Sequence, residues 1–160
     1  MILAAVLAAA LATGSPNPVP PPLTAVERET GPQPSAYTGK YFRPSQEPYR
    51  LCVGQREGRH QYWATGSDGM YQGTYQMTKA LVRGAVWMAE KEWRQLYGRD
   101  TAKKMRQKLH QTDPRDYSRA VWDQLFYTVL NWEGPNSGAH HWAGGRFSCR
   151  VGMTSWEGNK

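Results

Sequence analysis

Cysteine and long apolar runs are the features that this 160-residue sequence has least of. It contains two cysteines, Cys52 and Cys149, and no Cys-x-x-Cys pair. Its adjacent histidines, His140 and His141, would point apart on a helix or a strand. These absences exclude the usual zinc-binding patterns, so we expect no metal and no cofactor. The apolar run at residues 2–11 is far shorter than the ~20 residues that span a bilayer, so we expect no stable membrane insertion.

That short apolar run has the character of a secretory signal. It ends in the small-residue triplet 10–12, which predicts a signal peptide over residues 1–12 with cleavage after Ala12. In an exported chain, an even pair of cysteines favours a disulfide. A Cys52–Cys149 bond would close a loop of roughly 100 residues, worth about 4 to 5 kcal/mol in the chain-entropy model. We therefore expect a secreted protein, extracellular or associated with a cell wall.

Proline and aromatic residues divide the rest of the chain. Residues 13–40 hold seven of the eleven prolines, which predicts an extended linker that buries too little apolar surface to order itself. All seven tryptophans and nine tyrosines lie after residue 36. Residues 41–156 therefore have the aromatic content to form one domain of about 115 residues, and we expect it to be a monomer.

The positive charge belongs to this aromatic part. Residues 37–160 carry +8, because residues 13–36 carry −1 and the whole chain carries +7. A basic domain favours polyanionic surroundings, whether nucleic acid, anionic lipid or an anionic cell wall. The cationic stretch over residues 103–108 leaves nucleic acid as an alternative. Without a helix-turn-helix, a stacking motif or a Gly-rich phosphate loop, however, we expect no nucleic-acid partner.

Apolar spacing predicts a mainly α fold of the α+β type, a small helical domain with a short loop or hairpin beside its cleft. Helices are expected at residues 48–57, at 78–97 with Thr78 as N-cap, at 100–110, and from Asp113 to Asn131. Glycines make residues 58–77 a loop or a small hairpin, and the tail after residue 131 is expected to be irregular. The tryptophans in helical patterns, which we expect in the core, are Trp87, Trp93 and Trp122.

Glu57 is the strongest candidate for chemistry. It ends the first predicted helix, and a segment rich in Gly, Tyr, Trp and Gln follows it. Burial against aromatic rings would favour its protonated form, and the candidate rings are Trp63, Tyr71 and Tyr75. Gln76 can both donate to and accept from an N-acetyl group. The alternative is that Glu57 is a solvated carboxylate at a helix end.

The motif around Glu57 resembles the lysozyme-like transglycosylase domains, especially the resuscitation-promoting factors and related secreted peptidoglycan hydrolases. The resemblance covers about residues 45–149 and is strongest over residues 50–77. The residues that carry it are Arg50-Leu51-Cys52, Glu57-Gly58, Tyr62-Trp63 and Gly69-Met70-Tyr71-Gln72-Gly73-Thr74-Tyr75-Gln76-Met77.

The resemblance implies a lysozyme-like fold that cleaves the glycan strands of peptidoglycan with Glu57 as general acid and base. It also implies that Gln76, Tyr71, Tyr75 and Trp63 line the cleft. The opposite wall would come from Trp132, His141 and Trp142, once a disulfide brings Cys149 back to Cys52.

Two departures from the family stand beside Glu57. The family cysteine immediately precedes the catalytic Glu, whereas Arg56 takes that place here and Cys52 lies one helical turn earlier. Gly58 stands where a small polar residue often follows the Glu, and Arg59 comes next. Positive charge is therefore expected close to the carboxyl group.

The number of carboxylates in the cleft distinguishes hydrolysis from lytic transglycosylation. Hydrolysis usually uses two, about 5 Å apart for retention and roughly 6.5 to 9.5 Å for inversion. Asp68 is the only other acid between Glu57 and residue 77, and its Gly-rich surroundings favour a turn role. One Glu suffices for a lytic transglycosylase. A non-catalytic wall-binding module of the same fold remains the alternative to an enzyme.

Overall fold

Helices form about half of the chain that the computed structural model describes, residues 18–145 and 147–156. Within this part, the α-helices are α1 (Glu47–Gly58), α2 (Lys79–Tyr97), α3 (Arg99–Gln111) and α4 (Arg119–Asn131). Three two-residue strands, β1 (Thr65–Gly66), β2 (Tyr71–Gln72) and β3 (Met77–Thr78), form an antiparallel sheet in the order β1-β2-β3. The predicted fold class, mainly α with a small hairpin segment, is confirmed. The predicted signal peptide lies outside the described residues, and none of the described helices has the length and apolarity to cross a membrane.

The predicted caps explain where α2 and α3 begin and end. The Thr78 hydroxyl accepts a hydrogen bond from the backbone N–H of Leu81 at 3.1 Å, as an N-cap does. Gly98 separates the two helices with a φ of +84°, in the region that favours glycine. α2 and α3 pack against each other and form a helical hairpin.

The fourth helix starts later than predicted. Asp113 does cap a turn, accepting from the N–H of Arg115 at 2.9 Å, but this turn is a short 3-10 helix, Pro114–Asp116. The chain is then extended at Tyr117 and Ser118, and Ser118 caps α4. The break arises because the N–H of Ser118 donates to the carbonyl of Leu23, an interaction that local sequence does not reveal.

The core surrounds α4, which is buried at every residue from Val121 to Asn131. Trp93 and Trp122 are buried as predicted. The prediction for Trp87 is wrong, because half of its side-chain surface is exposed on α2.

Residues 18–40 differ from the expected linker, because they run along the domain and bond to it. Thr24 pairs with Tyr117 and Thr30 pairs with Gln61 in isolated antiparallel bridges. Further along, the N–H of Ala36 donates to the Asp123 carboxylate at 2.8 Å. Backbone hydrogen bonds attach this segment, so its low apolar content does not prevent it from packing.

A buried arginine joins this segment to the helices. Arg50 on α1 is 1% exposed, and its guanidinium donates to the carbonyl of Gln33 at 2.6 Å and to the Tyr75 hydroxyl at 2.9 Å. The same group pairs with Glu47 at 2.7 Å and with Asp123 on α4 at 3.4 Å. One side chain therefore links α1, α4, the segment before α1 and the loop before β3.

Removing residues before Tyr41 should destabilise the domain. Arg50 would lose the Gln33 carbonyl and Asp123 would lose the Ala36 N–H, which leaves two buried charged groups short of partners. We expect the free energy of unfolding to fall by about 3 kcal/mol or more, measured by denaturant unfolding. A chain that begins at Pro22 keeps both contacts and is the control. Equal stability of the two truncations would contradict this role of the segment.

His60 should make stability depend on pH. Its ring is buried, its Nε2 has no hydrogen-bond partner among the described residues, and burial and the nearby Arg50 lower its pKa to about 4. The unfolded chain binds this proton near pH 6.5, so stability falls as the pH falls from about 6.5 to about 4. Between these two pH values, the free energy of unfolding should fall by about 2 to 3 kcal/mol more for native protein than for His60→Gln. His140→Gln, at an exposed histidine, should behave as the native protein; a native-like pH profile for His60→Gln would refute the assignment.

Candidate functional site

The carboxylate of Glu57 lies in a cleft of about 480 Å³ at the end of α1. Its side chain is 27% exposed, so it is neither buried in the core nor free in solvent. The cleft lies between the last turn of α1 and the first strand of the sheet, with one glycine from the C-terminal segment. Its lining residues are Arg56, Glu57, Gly58, Arg59, Gln61, Ala64, Thr65, Gly66, Gln76 and Gly145.

The local sequence ends α1 immediately after Glu57. Arg59 and His60 both have a positive φ, and the N–H of His60 donates back to the carbonyl of Gly54 at 3.0 Å. Gly58 permits the last helical turn to approach the sheet, since a Cβ there would lie 2.5 Å from the Cα of Thr74. Glu57 is thereby held where the helix meets the β2–β3 turn.

Arg56 connects Glu57 to the C-terminal segment. Its side chain is 2% exposed, and its Nε donates to Glu57 Oε1 at 2.7 Å. Its two other nitrogens donate to the carbonyl of Trp142 at 2.6 Å and to that of Phe147 at 3.3 Å. Arg56 thus joins the carboxylate of Glu57 to the C-terminal segment through hydrogen bonds.

The disulfide holds that segment one turn earlier on α1. Cys52 and Cys149 are bonded, with their Cα atoms 5.7 Å apart, which confirms the predicted pair. Because Arg56 follows Cys52 by one helical turn, the covalent and the hydrogen-bonded attachments lie on the same side of the helix. The sequence shows Arg56 beside Glu57, but gives no sign that its partners are backbone carbonyls about 90 residues away.

Gln76 lies in the cleft with Glu57, as the sequence predicts. Its backbone has a φ of +47°, and its side-chain amide donates to the carbonyl of Gly73 at 2.8 Å. This bond leaves the amide oxygen on the side of Gly66, which also lines the cleft. The cleft therefore combines a carboxylate with an oriented amide.

Tyr75 and Trp142 do not line this cleft, and the prediction that they bind substrate is wrong. Tyr75 is 1% exposed, and its hydroxyl donates to the Asp123 carboxylate at 2.5 Å inside the core. Trp142 is 4% exposed and donates its indole N–H to the carbonyl of Tyr75 at 2.9 Å. Both rings face inward because they pack on Phe126 of α4, with ring centroids 4.5 Å apart in each case.

The remaining aromatic candidates also lie away from Glu57. Trp63 is partly buried with the guanidinium of Arg28 5.5 Å above its ring, and Tyr71 is exposed on β2. Trp132 stacks against Tyr41. His141 is exposed. None of the four is among the residues that line the cleft, contrary to the expectation that aromatic rings form its walls.

Asp68 lines a neighbouring cleft of about 670 Å³ that shares only Thr65 with the first. It has a φ of +55° in the turn between β1 and β2. Its charged neighbours there are Lys79, Asp113 and Arg115. Glu57 is consequently the sole carboxylate among the lining residues of its own cleft. No group of three or more His, Cys, Asp or Glu residues that could hold a metal occurs in the described ranges.

Residues that sequence reasoning did not place in the cleft are Gln61, Ala64, Thr65, Gly66 and Gly145. Gln61 carries the clearest missed signal, because it is an amide four residues after the candidate acid. Gly145 carries none, because contacts between distant residues, such as the disulfide and the bonds of Arg56, bring its segment to α1.

Substituting Gly58 should test how closely α1 packs on the sheet. The Cβ of Gly58→Ala would overlap the backbone of Thr74, which we expect to reduce the free energy of unfolding by about 1 to 3 kcal/mol. Gly84→Ala is the matched control, because nothing lies within 4 Å of a Cβ at that position on α2. Gly84→Ala should raise the free energy of unfolding by up to about 1 kcal/mol, because alanine has the higher helix propensity. Thermal unfolding measures both, and a shift of the same sign in the two variants would contradict the packing.

Comparison of the chain with protein-family models, curated proteins and solved structures found no match. The function of the chain is therefore inferred from the residues that line the Glu57 cleft.

Proposed function

We propose that the protein is a secreted lytic transglycosylase that cleaves the glycan strands of bacterial peptidoglycan. One observation carries the proposal: Glu57 is the single carboxylate lining its cleft, and Gln76 lines the same cleft. The disulfide supports export, because such bonds persist in oxidising compartments.

The proposed reaction uses Glu57 twice. Its protonated carboxyl donates a proton to the oxygen that links two aminosugars, and the bond from that oxygen to the anomeric carbon breaks. The resulting carboxylate then takes the proton of the muramyl 6-hydroxyl, and the oxygen of this hydroxyl bonds to the anomeric carbon. An anhydro ring forms, no water is consumed, and Glu57 returns to its starting state.

The absence of a second carboxylate from the lining residues favours this reaction over hydrolysis. A hydrolase of the common type needs a partner about 5 Å or roughly 6.5 to 9.5 Å from the acid. Asp68, the next acid after Glu57 along the chain, belongs to the neighbouring cleft. Gln76 can bind the N-acetyl group of a sugar, and Arg56 fixes the orientation of the carboxylate through Oε1.

A non-catalytic wall-binding domain is the second candidate. The observation that favours it is the ion pair between Arg56 and Glu57, in which a guanidinium 2.7 Å away already engages one oxygen of the carboxylate. In that case the cleft would bind glycan strands without breaking them.

Digestion of purified peptidoglycan by native protein and by Glu57→Gln distinguishes the candidates. We expect native protein to release anhydromuramyl fragments, identified by mass spectrometry, and Glu57→Gln to lose about 10²- to 10⁴-fold in rate, as for loss of an acid–base group. Two matched variants, Asp68→Asn in the neighbouring cleft and Glu133→Gln at an exposed position, should retain the native rate.

Three outcomes would contradict the transglycosylase. Fragments with reducing ends alone would indicate hydrolysis, and equal rates for native protein and Glu57→Gln would remove Glu57 from the chemistry. Binding to insoluble peptidoglycan by both proteins, with no fragments released by either, would support the wall-binding domain.

A further inference from the structure

A row of cationic side chains with one tryptophan runs along the exposed face of α2. Arg83, Trp87, Lys91 and Arg94 follow one another at intervals of four, four and three residues, so they form one stripe on the helix. All four side chains are exposed. We call this row the α2 stripe; it is roughly 16 Å long at 1.5 Å per residue.

Trp87 is the unusual member of the α2 stripe. Tryptophan is highly buried on average, yet Trp87 is 50% exposed. The guanidinium of Arg106, from α3, lies 3.7 Å from the centroid of its ring. A cation at this distance covers one face of the indole and leaves the opposite face for a partner.

A buried carboxylate fixes the cations around Trp87. Glu90 is 1% exposed and accepts from Arg94 at 2.8 Å and from Arg106 at 2.5 Å. Burial opposes its charge, but the hydrogen bonds from these two guanidinium groups hold the pKa of Glu90 below its usual range. Arg94 and Arg106 are thus ordered on the helical hairpin before any partner binds, which reduces the entropy cost of binding.

The charge of the whole protein is concentrated in this hairpin. Residues 79–111 contain nine Lys or Arg and three Asp or Glu, a net charge of +6 out of +7 for the chain. Two of the three acids, Glu90 and Glu92, are buried, so Asp100 is the one exposed acid of the hairpin. The surface around Trp87 therefore presents almost pure positive charge.

We propose that the α2 stripe binds an anionic glycopolymer, a flexible sugar chain with repeated carboxylate or phosphate groups. Successive cations along one helix face can pair with successive charges of an extended chain, and the open face of Trp87 can pack on the C–H face of a sugar. None of the four residues lines the Glu57 cleft, so the stripe is a second binding surface and does not depend on the proposed activity.

Two other polyanions fit this surface less well. Insertion into an anionic membrane needs a broad apolar face, whereas Trp87 is the only large apolar side chain of the stripe. Single-stranded nucleic acid is bound by several aromatic rings that stack successive bases in a cationic groove, whereas the stripe is convex and has one ring with one open face.

The test uses two polymers that differ in sugar content, polygalacturonate and inorganic polyphosphate, with uncharged dextran as the blank. Isothermal titration at a series of salt concentrations should show native protein binding both polyanions, more weakly as salt rises, and not binding dextran. Arg83→Glu/Lys91→Glu should weaken binding to both polyanions by about tenfold or more. Trp87→Ala should weaken binding to polygalacturonate by about fivefold and leave polyphosphate binding unchanged.

The control variants distinguish binding at the α2 stripe from attraction by the net positive charge of the whole protein. Arg43→Glu/Arg150→Glu changes the net charge by the same amount at two exposed residues outside the stripe. Its affinity for both polyanions should stay within about twofold of the native value. Equal losses in the two double variants would overturn the proposal. So would tighter binding to single-stranded DNA or to phosphatidylglycerol vesicles than to polygalacturonate at the same salt. Glu57→Gln should bind as native protein does, which keeps this result separate from the outcome of the peptidoglycan digestion.

Discussion

The buried charge network centred on Arg50 is the constraint on which the rest of the domain depends. Its guanidinium contacts the side chains of Glu47 and Asp123 and the carbonyl of Gln33. Breaking a buried ion pair by removing one partner typically costs about 3 to 5 kcal/mol, because the remaining charge cannot reach water. Alternative packings of α1 would leave Arg50 or Asp123 as a buried charge without its partner, so the network selects one arrangement of helices.

That arrangement determines where the candidate acid lies. Glu57 follows Arg50 by two helical turns on α1, about 10 Å along the axis. Anchoring Arg50 therefore fixes both the rotation and the axial position of the helix end that carries Glu57. At that end, the disulfide and the hydrogen bonds of Arg56 attach the C-terminal segment, and Gly58 allows contact with Thr74. The cleft is bounded on each side by elements that meet α1 through a specific contact.

Arg56 is the side chain that joins Glu57 to the C-terminal segment. A cysteine in its position would place a covalent cross-link directly beside Glu57. Here the cross-link lies one turn earlier, and a buried guanidinium takes its place by binding two carbonyls and the carboxylate together. Arg56 places a positive charge beside Glu57, which a disulfide there would not do. A catalytic acid must carry a proton, whereas a carboxylate that only binds glycan need not, so this charge affects the two proposed functions differently.

Features that depend on neighbours in sequence were predictable. The bounds of α1, α2 and α3 follow from apolar spacing and from the caps at Thr78 and Gly98, because a helix closes its hydrogen bonds within four residues. The motif at residues 57–76 likewise indicated that Glu57 and Gln76 belong together, since a short hairpin must fold back on the helix that precedes it.

Local sequence predicted the set of helices, a possible bond between the two cysteines and a cleft that Glu57 and Gln76 share. Tertiary structure alone decided that Tyr75 and Trp142 face the core, that Trp87 faces solvent, that α4 begins at Arg119, and that residues 18–40 pack on the domain. Each of these depends on a partner far along the chain: Asp123 for Tyr75, Arg106 for Trp87, Leu23 for Ser118. An aromatic residue has the same local propensity in a core and at a surface, so only the packing of distant segments distinguishes the two.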